Sequence, residues 1–384
     1  MRTVDGIVIA LKLIAGGLFY TSLKTLGQTQ LLSISGGFDY FKRCFFLCAV
    51  LFVSISLSYV GYLILMLCGY KDKASIDLRA FLRIALPGAL DCAGQVCTML
   101  GTMMLPISIV LVLKGSRVVF SALLSKVMLN RRLFAYHWCG VVLCMVGLVI
   151  ASVSSILNQF NLRSHLAVGI CLCLTGEFLR SVRMVIEERL MKTYLYHPVA
   201  VIGLEGVVGT ILSVPLLLIV DAIPGDDNGS YESWENTVYM LAHSTLATVL
   251  VVLLPLWINA LYLSGVFVTK MLSAVHNALV TVLTVAVVWG MELIIYYCVD
   301  SQYGLGWGKY SVLQLIGFGF ILLSTLLYDS TLRIPQWFEY PLNREEAAGT
   351  IATNISTAGG SKFEIHQQMS TVCDRQGSFI FMRS

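Results

Sequence analysis

The chain is dominated by long apolar runs rather than by alternating apolar and polar positions. A membrane-spanning helix needs about 20 mostly apolar residues, because each residue adds about 1.5 Å across a hydrocarbon layer about 30 Å thick. Ten such runs follow one another with short breaks. They predict an all-α polytopic membrane protein with ten transmembrane helices, near 4–25, 45–67, 80–104, 106–129, 134–157, 166–183, 199–220, 244–263, 266–295 and 311–328. The eighth and ninth runs are separated at Ser264-Gly265.

Composition excludes the soluble classes of protein for the chain as a whole. Hydrophobic residues make up 57% of the 384 residues, and the mean hydropathy is +0.80. Charged residues make up 12%, against roughly 25% in soluble domains. A soluble enzyme, a nucleic-acid-binding protein and a disordered scaffold are therefore excluded. The sequence contains no zinc-protease motif, nucleophile elbow or Walker loop, so neither enzymatic activity nor a cofactor or metal is expected.

The loop charges predict an orientation in the membrane. Basic residues follow the second, fourth and sixth runs, at Lys71, Lys73, Arg131, Arg132, Arg189 and Lys192. The loop at 221–235 carries acidic residues and no Lys or Arg. The positive-inside rule then places both termini in the cytosol, although Lys42 and Arg43 oppose it. Asn228-Gly229-Ser230 falls on the non-cytosolic side and is a candidate glycan acceptor.

The two halves of the apolar region resemble each other. Leu129–Leu133 follows the fourth run, and Trp289–Leu293 lies at the matching place late in the ninth. Five spans per half is an odd number, so the halves must have opposite orientations in the bilayer, as in many secondary transporters. We expect a first five-helix repeat at 1–160, a second at 161–332, and a disordered cytosolic tail at 333–384, where apolar periodicity ends.

Polar residues inside the apolar runs predict a binding site. A charge at mid-bilayer costs about 2.5–3.5 kcal/mol, so such groups face the bundle interior. Lys114, Arg117 and Ser121 share one face of the fourth run. Lys270, Asn277 and Thr281 form a similar stripe in the ninth. We predict that these six residues bind substrate, with hydrogen bonding between packed helices as the alternative for the hydroxyl groups.

Carboxylates within the runs suggest charge balance or ion coupling, at Asp91, Glu177 and Glu205. Asp91 is expected to pair with Lys114 or Arg117, and a protonatable coupling role is the alternative. Glu177, Arg180 and Arg183, followed by Glu187 and Glu188, form either a salt-bridge ladder that gates the cytosolic mouth or a solvated helix end. Cations outnumber carboxylates in these runs, which favours an anionic solute.

Several segments give the chain a family resemblance. It resembles the drug/metabolite transporter superfamily and, within it, the nucleotide-sugar-transporter-like F branch of the solute carrier 35 family. The segments that carry the resemblance are Leu86-Pro87-Gly88-Ala89-Leu90-Asp91, Leu113-Lys114-Gly115, Met184-Val185-Ile186-Glu187-Glu188-Arg189, Leu195-Tyr196-His197-Pro198, Gly203-Leu204-Glu205-Gly206 and Val268-Thr269-Lys270. The resemblance implies a facilitator, antiporter or exchanger in a lysosomal or Golgi-type endomembrane. It also implies that the fourth and ninth spans line the site. The chain departs from that pattern by carrying Lys114 in place of an arginine.

These observations predict a secondary active or exchange transporter that moves a small anionic organic solute by alternating access. Its expected partners are that solute and membrane lipid, with no nucleic acid, and a homodimer through the fifth and tenth helices is left open. Two alternatives remain. One is a drug, amino-acid or cation transporter of the chloroquine-resistance type, and the other is a non-transporting membrane receptor or adaptor.

Overall fold

Long apolar helices make up most of the protein in a computed structural model of the chain. The structure describes residues 2–332 except for 70–76, 106, 131–132, 159–165, 226, 300, 302–303, 305 and 309. The predicted tail at 333–384 lies outside the described residues. The elements in chain order are α1 (Arg2–Gln28), β1 (Gln30–Leu32), β2 (Phe38–Tyr40), α2 (Cys44–Leu67), α3 (Leu78–Met104), α4 (Ile107–Met128), α5 (Ala135–Asn158), α6 (Leu166–Lys192), α7 (Pro198–Ala222), β3 (Pro224–Gly225), β4 (Gly229–Ser230), α8 (Trp234–Ala242), α9 (Thr245–Met271), α10 (Ala274–Cys298) and α11 (Ser311–Tyr328).

Eight helices of the described chain are long and apolar enough to cross a membrane. They are α1, α2, α3, α5, α7, α9, α10 and α11. The predicted class, an all-α polytopic membrane protein, is confirmed. Helices α4 and α6 are equally long but carry more charge, including Lys114, Arg117 and Lys126 in α4. They are the helices that supply most of the charged residues discussed below.

The predicted break between the eighth and ninth spans is wrong. Helix α9 continues through Gly265 to Met271, and α10 begins at Ala274. Ser273 sets this boundary, because its side chain accepts a hydrogen bond from the backbone N–H of His276 and caps α10. Gly265 lies inside α9 and faces Asn277, since a Cβ there would make an ordinary van der Waals contact of 3.4 Å with Oδ1 of Asn277. Lys270 therefore belongs to the last turn of α9 and not to the polar stripe of α10.

Helices pair closely where glycines remove side chains from the contact. A Cβ on Gly203 of α7 would lie 2.5 Å from the backbone nitrogen of Tyr59 on α2. Gly147 of α5 and Gly317 of α11 face each other in the same manner, each meeting the other's carbonyl oxygen. Such close approach is a common way to stabilise helix pairs in membranes, where the hydrophobic effect between helices is weak. The pairs α2–α7, α3–α6 and α5–α11 form the tightest parts of the bundle.

A small extramembrane cap covers one end of the bundle. It consists of the β1–β2 hairpin, the β3–β4 hairpin and α8. Glu232 accepts hydrogen bonds from the backbone N–H groups of Phe45 (3.0 Å) and Phe46 (2.7 Å), which satisfies the start of α2. Arg43 forms a salt bridge with Asp227. The cap therefore ties the first turn of α2 to the segment between α7 and α8.

Candidate functional site

A polar cavity of about 480 Å³ lies within the helix bundle. Its walls come from α1, α2, α3, α4, α6, α9 and α10. The charged residues that line it are Lys12, Lys24, Lys114, Arg117, Arg180, Arg183 and Glu187. Gln95, Thr98, Thr102, Asn277 and Thr281 add hydrogen-bonding groups. Apolar residues such as Phe19 and Leu254 complete the lining, so the charged groups act in a medium of low dielectric constant.

Four of the six predicted binding residues line this cavity. They are Lys114, Arg117, Asn277 and Thr281. Ser121 is fully buried, and its hydroxyl donates to the carbonyl of Val118 on its own helix, 3.0 Å away. Lys270 is exposed at the end of α9 and is not a lining residue. The binding roles of Ser121 and Lys270 remain predictions without support from this geometry.

Lys114 extends into the cavity beside an aromatic ring. Its ammonium lies 5.2 Å from the ring centroid of Tyr20 on α1, a cation–π contact. The side chain is partly exposed to the cavity. Among the described residues no salt bridge to Lys114 is formed. Its positive charge is thus available to a solute.

Arg117 pairs with a carboxylate that the sequence placed in a different role. Its Nε and Nη2 atoms each lie 2.6 Å from Oε2 of Glu177, whose side chain is fully buried. Asp91, which we expected to pair with Lys114 or Arg117, contacts neither through a salt bridge in the described structure. It lies instead 3.2 Å from Nη1 of Arg183 and 3.5 Å from Nε of Arg180. That expected pairing is wrong, because α3 packs against α6 rather than presenting Asp91 to α4.

Arg183 is the centre of a buried cluster that we call the ionic layer, defined as Asp91, Arg183, Glu187 and Glu205. Its guanidinium lies 2.6 Å from Glu187, 3.0 Å from Glu205 and 3.2 Å from Asp91. All four residues are at least nine-tenths buried. The predicted ladder on α6 is therefore buried, and the alternative of a solvated helix end is wrong. Glu205, which looked isolated in the sequence, shares the guanidinium with carboxylates from α3 and α6.

Lys12 belongs to the site, although the sequence did not assign it there. Its ammonium donates to the carbonyl of Asn277 at 2.8 Å, to Oγ1 of Thr281 at 2.7 Å and to Oδ1 of Asn277. The amide of Asn277 in turn donates to Oγ1 of Thr269 at 2.8 Å. A buried lysine in an otherwise apolar first span was the available signal, since a charge there requires an internal partner.

Polar contacts tie the end of α6 to the turn between α9 and α10. Glu188 accepts from Nζ of Lys192 at 2.9 Å and from the backbone N–H of Ala274 at 2.8 Å. Lys192 also donates to the carbonyl of Leu272 at 2.6 Å. We call Glu188 and Lys192 with the α9–α10 turn the α6 latch. Near the end of α1, the side chain of Lys24 is one-third exposed and forms a 2.8 Å salt bridge with Glu292 of α10.

The charges around the cavity are nearly balanced. Lysines and arginines contribute six cations to the lining. Five carboxylates lie in or directly behind it, at Asp91, Glu177, Glu187, Glu205 and Glu292. Lys12 and Lys114 have no carboxylate partner among the residues that the structure describes. The cationic surplus read from the sequence therefore reduces to one net positive charge, and these two ammonium groups are the cations that no carboxylate contacts directly.

The fold and the cavity together define a multi-pass helical membrane protein with a charged internal site, and comparison with known proteins identifies its family. The Triose-phosphate Transporter family model matches residues 38–297, so the chain belongs to that family. The resemblance to the drug/metabolite transporters and to the F branch of solute carrier 35 is confirmed. These relationships support a membrane solute transporter rather than an enzyme.

Individual relatives are distant in sequence. Solute carrier family 35 member F6 of Homo sapiens is 25% identical over 252 residues, which is 62% of this chain and 65% of the relative. The Mus musculus protein of the same name is 26% identical over 229 residues, covering 58% and 59% of the two chains. The match therefore spans less than two thirds of these relatives. An uncharacterised Schizosaccharomyces pombe protein is 22% identical over 270 residues, covering 70% of this chain and 80% of that one.

One solved crystal structure shares the fold. It superposes with a TM-score of 0.58 at 13% identity, covering 87% of this chain and all of the other. At that identity the likeness concerns the fold alone.

Proposed function

We propose that the protein is a secondary active or exchange transporter that carries a small anionic organic solute, such as a nucleotide-sugar-like metabolite, across an endomembrane by alternating access. The observation that carries this proposal is the cavity within the helix bundle with Lys114 in its wall. That cation has an aromatic neighbour but no carboxylate partner among the described residues. A cation in a cleft with walls of low dielectric constant attracts an anion more strongly than it would in open water.

Ten spans in two inverted five-helix repeats agree with the helix contacts. If α1–α5 match α6, α7, α9, α10 and α11 in order, then the α1–α9 contact corresponds to α6–α3, and α1–α10 corresponds to α6–α4. All four contacts occur. The pairs α2–α7, α4–α10 and α5–α11 each join two matching helices, as a two-fold axis in the membrane plane requires. This pattern supports α4 and α6 as spans and the division at 1–160 and 161–332.

The polar contacts follow the same symmetry. On the α1–α10 contact Lys12 binds Asn277, and on the matching α6–α4 contact Glu177 binds Arg117. Each contact joins the first repeat to the second, so movement of one repeat against the other must change the surroundings of both contacts. Rocking of one repeat against the other would then expose the cavity to each side in turn.

The ion pairs and hydrogen bonds that tie α6 to α3, α7 and the α9–α10 turn support an outward-facing state. The ionic layer and the α6 latch lie at the end that the positive-inside rule assigns to the cytosol, near basic Arg189 and Lys192. Lys24 and Thr102 line the opposite part, close to the ends of α1 and α3. Solute would enter from the non-cytosolic side and leave after the latch opens.

Within the site, we assign the anion to Lys114, Arg117 and Lys12. Glu177 neutralises the charge of Arg117 even when Arg117 donates a hydrogen bond to the solute. Lys114 therefore provides the larger share of the net positive charge that faces the solute. Asn277 and Thr281 supply hydrogen-bonding groups beside Lys12. Asp91, Glu177 and Glu205 balance the arginines. Lys270 and Ser121 lie outside the lining, which makes them matched controls.

Counterflow tests the proposal. Purified protein in liposomes loaded with unlabelled solute should accumulate the labelled form of at least one nucleotide sugar, organic phosphate or carboxylate. Lys114→Gln should reduce this exchange at least tenfold, since a charge-assisted contact contributes about 1.5–3 kcal/mol. Lys270→Gln should leave it unchanged. Saturable exchange of organic cations alone would favour the chloroquine-resistance alternative, and no saturable exchange of any compound would overturn the transporter.

A homodimer through α5 and α11 remains a prediction. Gly147 and Gly317 join these helices to each other, and their outer faces expose apolar residues, including Val142 and Leu315. Such faces suit either lipid or a second copy of the chain. Cys139 is exposed on α5, so copper-catalysed disulfide formation in native membranes would test for the dimer.

A further inference from the structure

The ionic layer contains more carboxylates than its arginines can neutralise. One guanidinium, that of Arg183, serves Glu187, Glu205 and Asp91 at 2.6, 3.0 and 3.2 Å. Arg180 adds a second, longer contact to Asp91 at 3.5 Å. Two cations thus share ion pairs with three buried carboxylates. An unpaired buried charge costs several kcal/mol, so a proton on one carboxylate is the less costly state.

Other ionisable groups surround the layer without pairing with Glu187 or Glu205. Lys12 of α1 directs its hydrogen bonds to Asn277 and Thr281 on α10. Arg117 of α4 is held by Glu177. Tyr262 of α9 stacks on Arg183, with its ring centroid 5.2 Å from the guanidinium carbon. Cys48 of α2 lies in the same buried hydrophobic cluster as Cys92, the residue that follows Asp91.

Glu205 shows where the proton would reside. Its Oε2 accepts from Nε of Arg183, but its buried Oε1 has no hydrogen-bond partner among the described residues. The carboxyl groups of Glu205 and Glu187 meet the same edge of one guanidinium, Glu205 at Nε and Glu187 at Nη2 of Arg183. Two ionised carboxylates side by side repel each other, and a proton on one of them removes this repulsion.

We infer that Glu187 and Glu205 form a proton-binding site, and that this proton is transported together with opening of the ionic layer. The inference rests on the proposed transporter function. Glu187 and Glu205 lie in the second repeat and Asp91 in the first, so rocking of the repeats would withdraw Asp91 from Arg183 and admit water to the two carboxyl groups. Once water reaches them, the shared proton passes from the carboxyl oxygen to water and both groups ionise. No bond other than this O–H bond is broken.

Infrared spectroscopy tests the site without a solute. Full-length protein in lipid nanodiscs near pH 7 should show the carbonyl band of a protonated carboxyl group that shifts in D₂O. The band should be lost in Glu205→Gln or in Glu187→Gln. Glu177→Gln is the matched control, because Glu177 is equally buried and its Oε1 also has no hydrogen-bond partner among the described residues, but it does not share its guanidinium with a second carboxylate there. A wild-type spectrum without the band, or a band that survives both changes, would overturn the inference.

Transport then separates this inference from the proposed function. With an anion identified by counterflow, an imposed pH gradient should change net uptake by the wild-type protein. Glu205→Gln should lose the response to the gradient, so that its uptake is the same with and without the imposed pH difference. If counterflow is absent altogether, the transporter proposal fails while the infrared result still stands. If wild-type uptake ignores the gradient, proton coupling fails and exchange remains.

Discussion

The ammonium of Lys12 on α1 donates a 2.8 Å hydrogen bond to the backbone carbonyl of Asn277, a residue 265 positions later on α10. Both residues are buried. The contact joins the first helix of the chain to the first turn of α10, where Asn277 also reaches Thr269. It joins α1 to α10 in the wall of the cavity. It also gives the lysine of the first span the internal partner that the sequence did not identify.

Removing the Lys12 ammonium should destabilise the protein and weaken transport. Lys12→Met shortens the unbranched side chain by one atom and leaves the Asn277 side chain without its charged donor. We expect a loss of about 1.5–3 kcal/mol, the usual value for a hydrogen bond to a charged group. The measurement is thermal unfolding in detergent, followed with a thiol-reactive dye that reports exposure of buried cysteines. Lys24→Met is the comparison, because the partly exposed Lys24–Glu292 pair should contribute far less. Equal losses in the two variants would contradict a special role for Lys12.

Breaking the Arg117–Glu177 pair should cost more than removing both charges. Glu177→Gln leaves a poorly solvated guanidinium without its partner, which typically costs about 3–5 kcal/mol. The double variant Arg117→Gln with Glu177→Gln should recover most of that stability. Unfolding midpoints of the two single variants and the double variant form the required cycle. A double variant no more stable than Glu177→Gln would show that the two residues act independently.

A methyl group at the α2–α7 contact should separate the helices. In Gly203→Ala the new Cβ would lie 2.5 Å from the nitrogen and 2.6 Å from the Cα of Tyr59, so the backbones must move apart. We expect a loss of about 1–3 kcal/mol, as for other overpacked sites. Gly61→Ala on α2 is the control, since nothing lies within 4 Å of a Cβ there. Similar melting of both variants would argue against tight packing at Gly203.

The turn at Asn228 should report the orientation of the protein. Asn228 is exposed, with φ of 50°, and Gly229 follows with φ of 90°. The candidate glycan acceptor Asn228 therefore lies at the tip of the β3–β4 hairpin. If the cap faces the non-cytosolic side, Asn228 should carry a glycan that an endoglycosidase removes and that Asn228→Gln abolishes. The Asn354-Ile355-Ser356 motif lies outside the described residues and serves as the internal comparison. A glycan lost only in Asn354→Gln would reverse the proposed orientation.

The Arg43–Asp227 salt bridge should weaken only when the pH falls below about 4. Burial alone would raise the pKa of Asp227, but hydrogen bonds from Arg43, Ser233 and Asn236 outweigh it and hold that pKa below its ordinary value of 3.8. A lowered folded-state pKa stabilises the protein above the unfolded-state pKa, and this contribution is lost as pH falls below about 4. Unfolding midpoints between pH 7 and pH 3 should therefore decline more steeply for wild type than for Asp227→Asn. Parallel curves would contradict this role.

The sequence determined the class of the protein and most of its helices. A chain with this apolar content must place its runs in lipid, and a helix is the structure that satisfies every backbone polar group there. Hence α11 begins and ends at the predicted residues. The predicted helix boundary at Ser264-Gly265 was wrong because small residues occur inside helices as well as in turns. The sequence alone does not distinguish the two, whereas the capped Ser273 does.

The partners of each charge were decided only by the tertiary structure. Periodicity placed Lys114, Arg117 and Asn277 on inward faces, because a charge inside a span must avoid lipid. It could not show that Asp91 meets Arg183 rather than Arg117, or that Lys12 meets Asn277, since these contacts depend on how helices distant in sequence cross. Hydropathy acts residue by residue along the chain, whereas an ion pair is a property of two helices packed together.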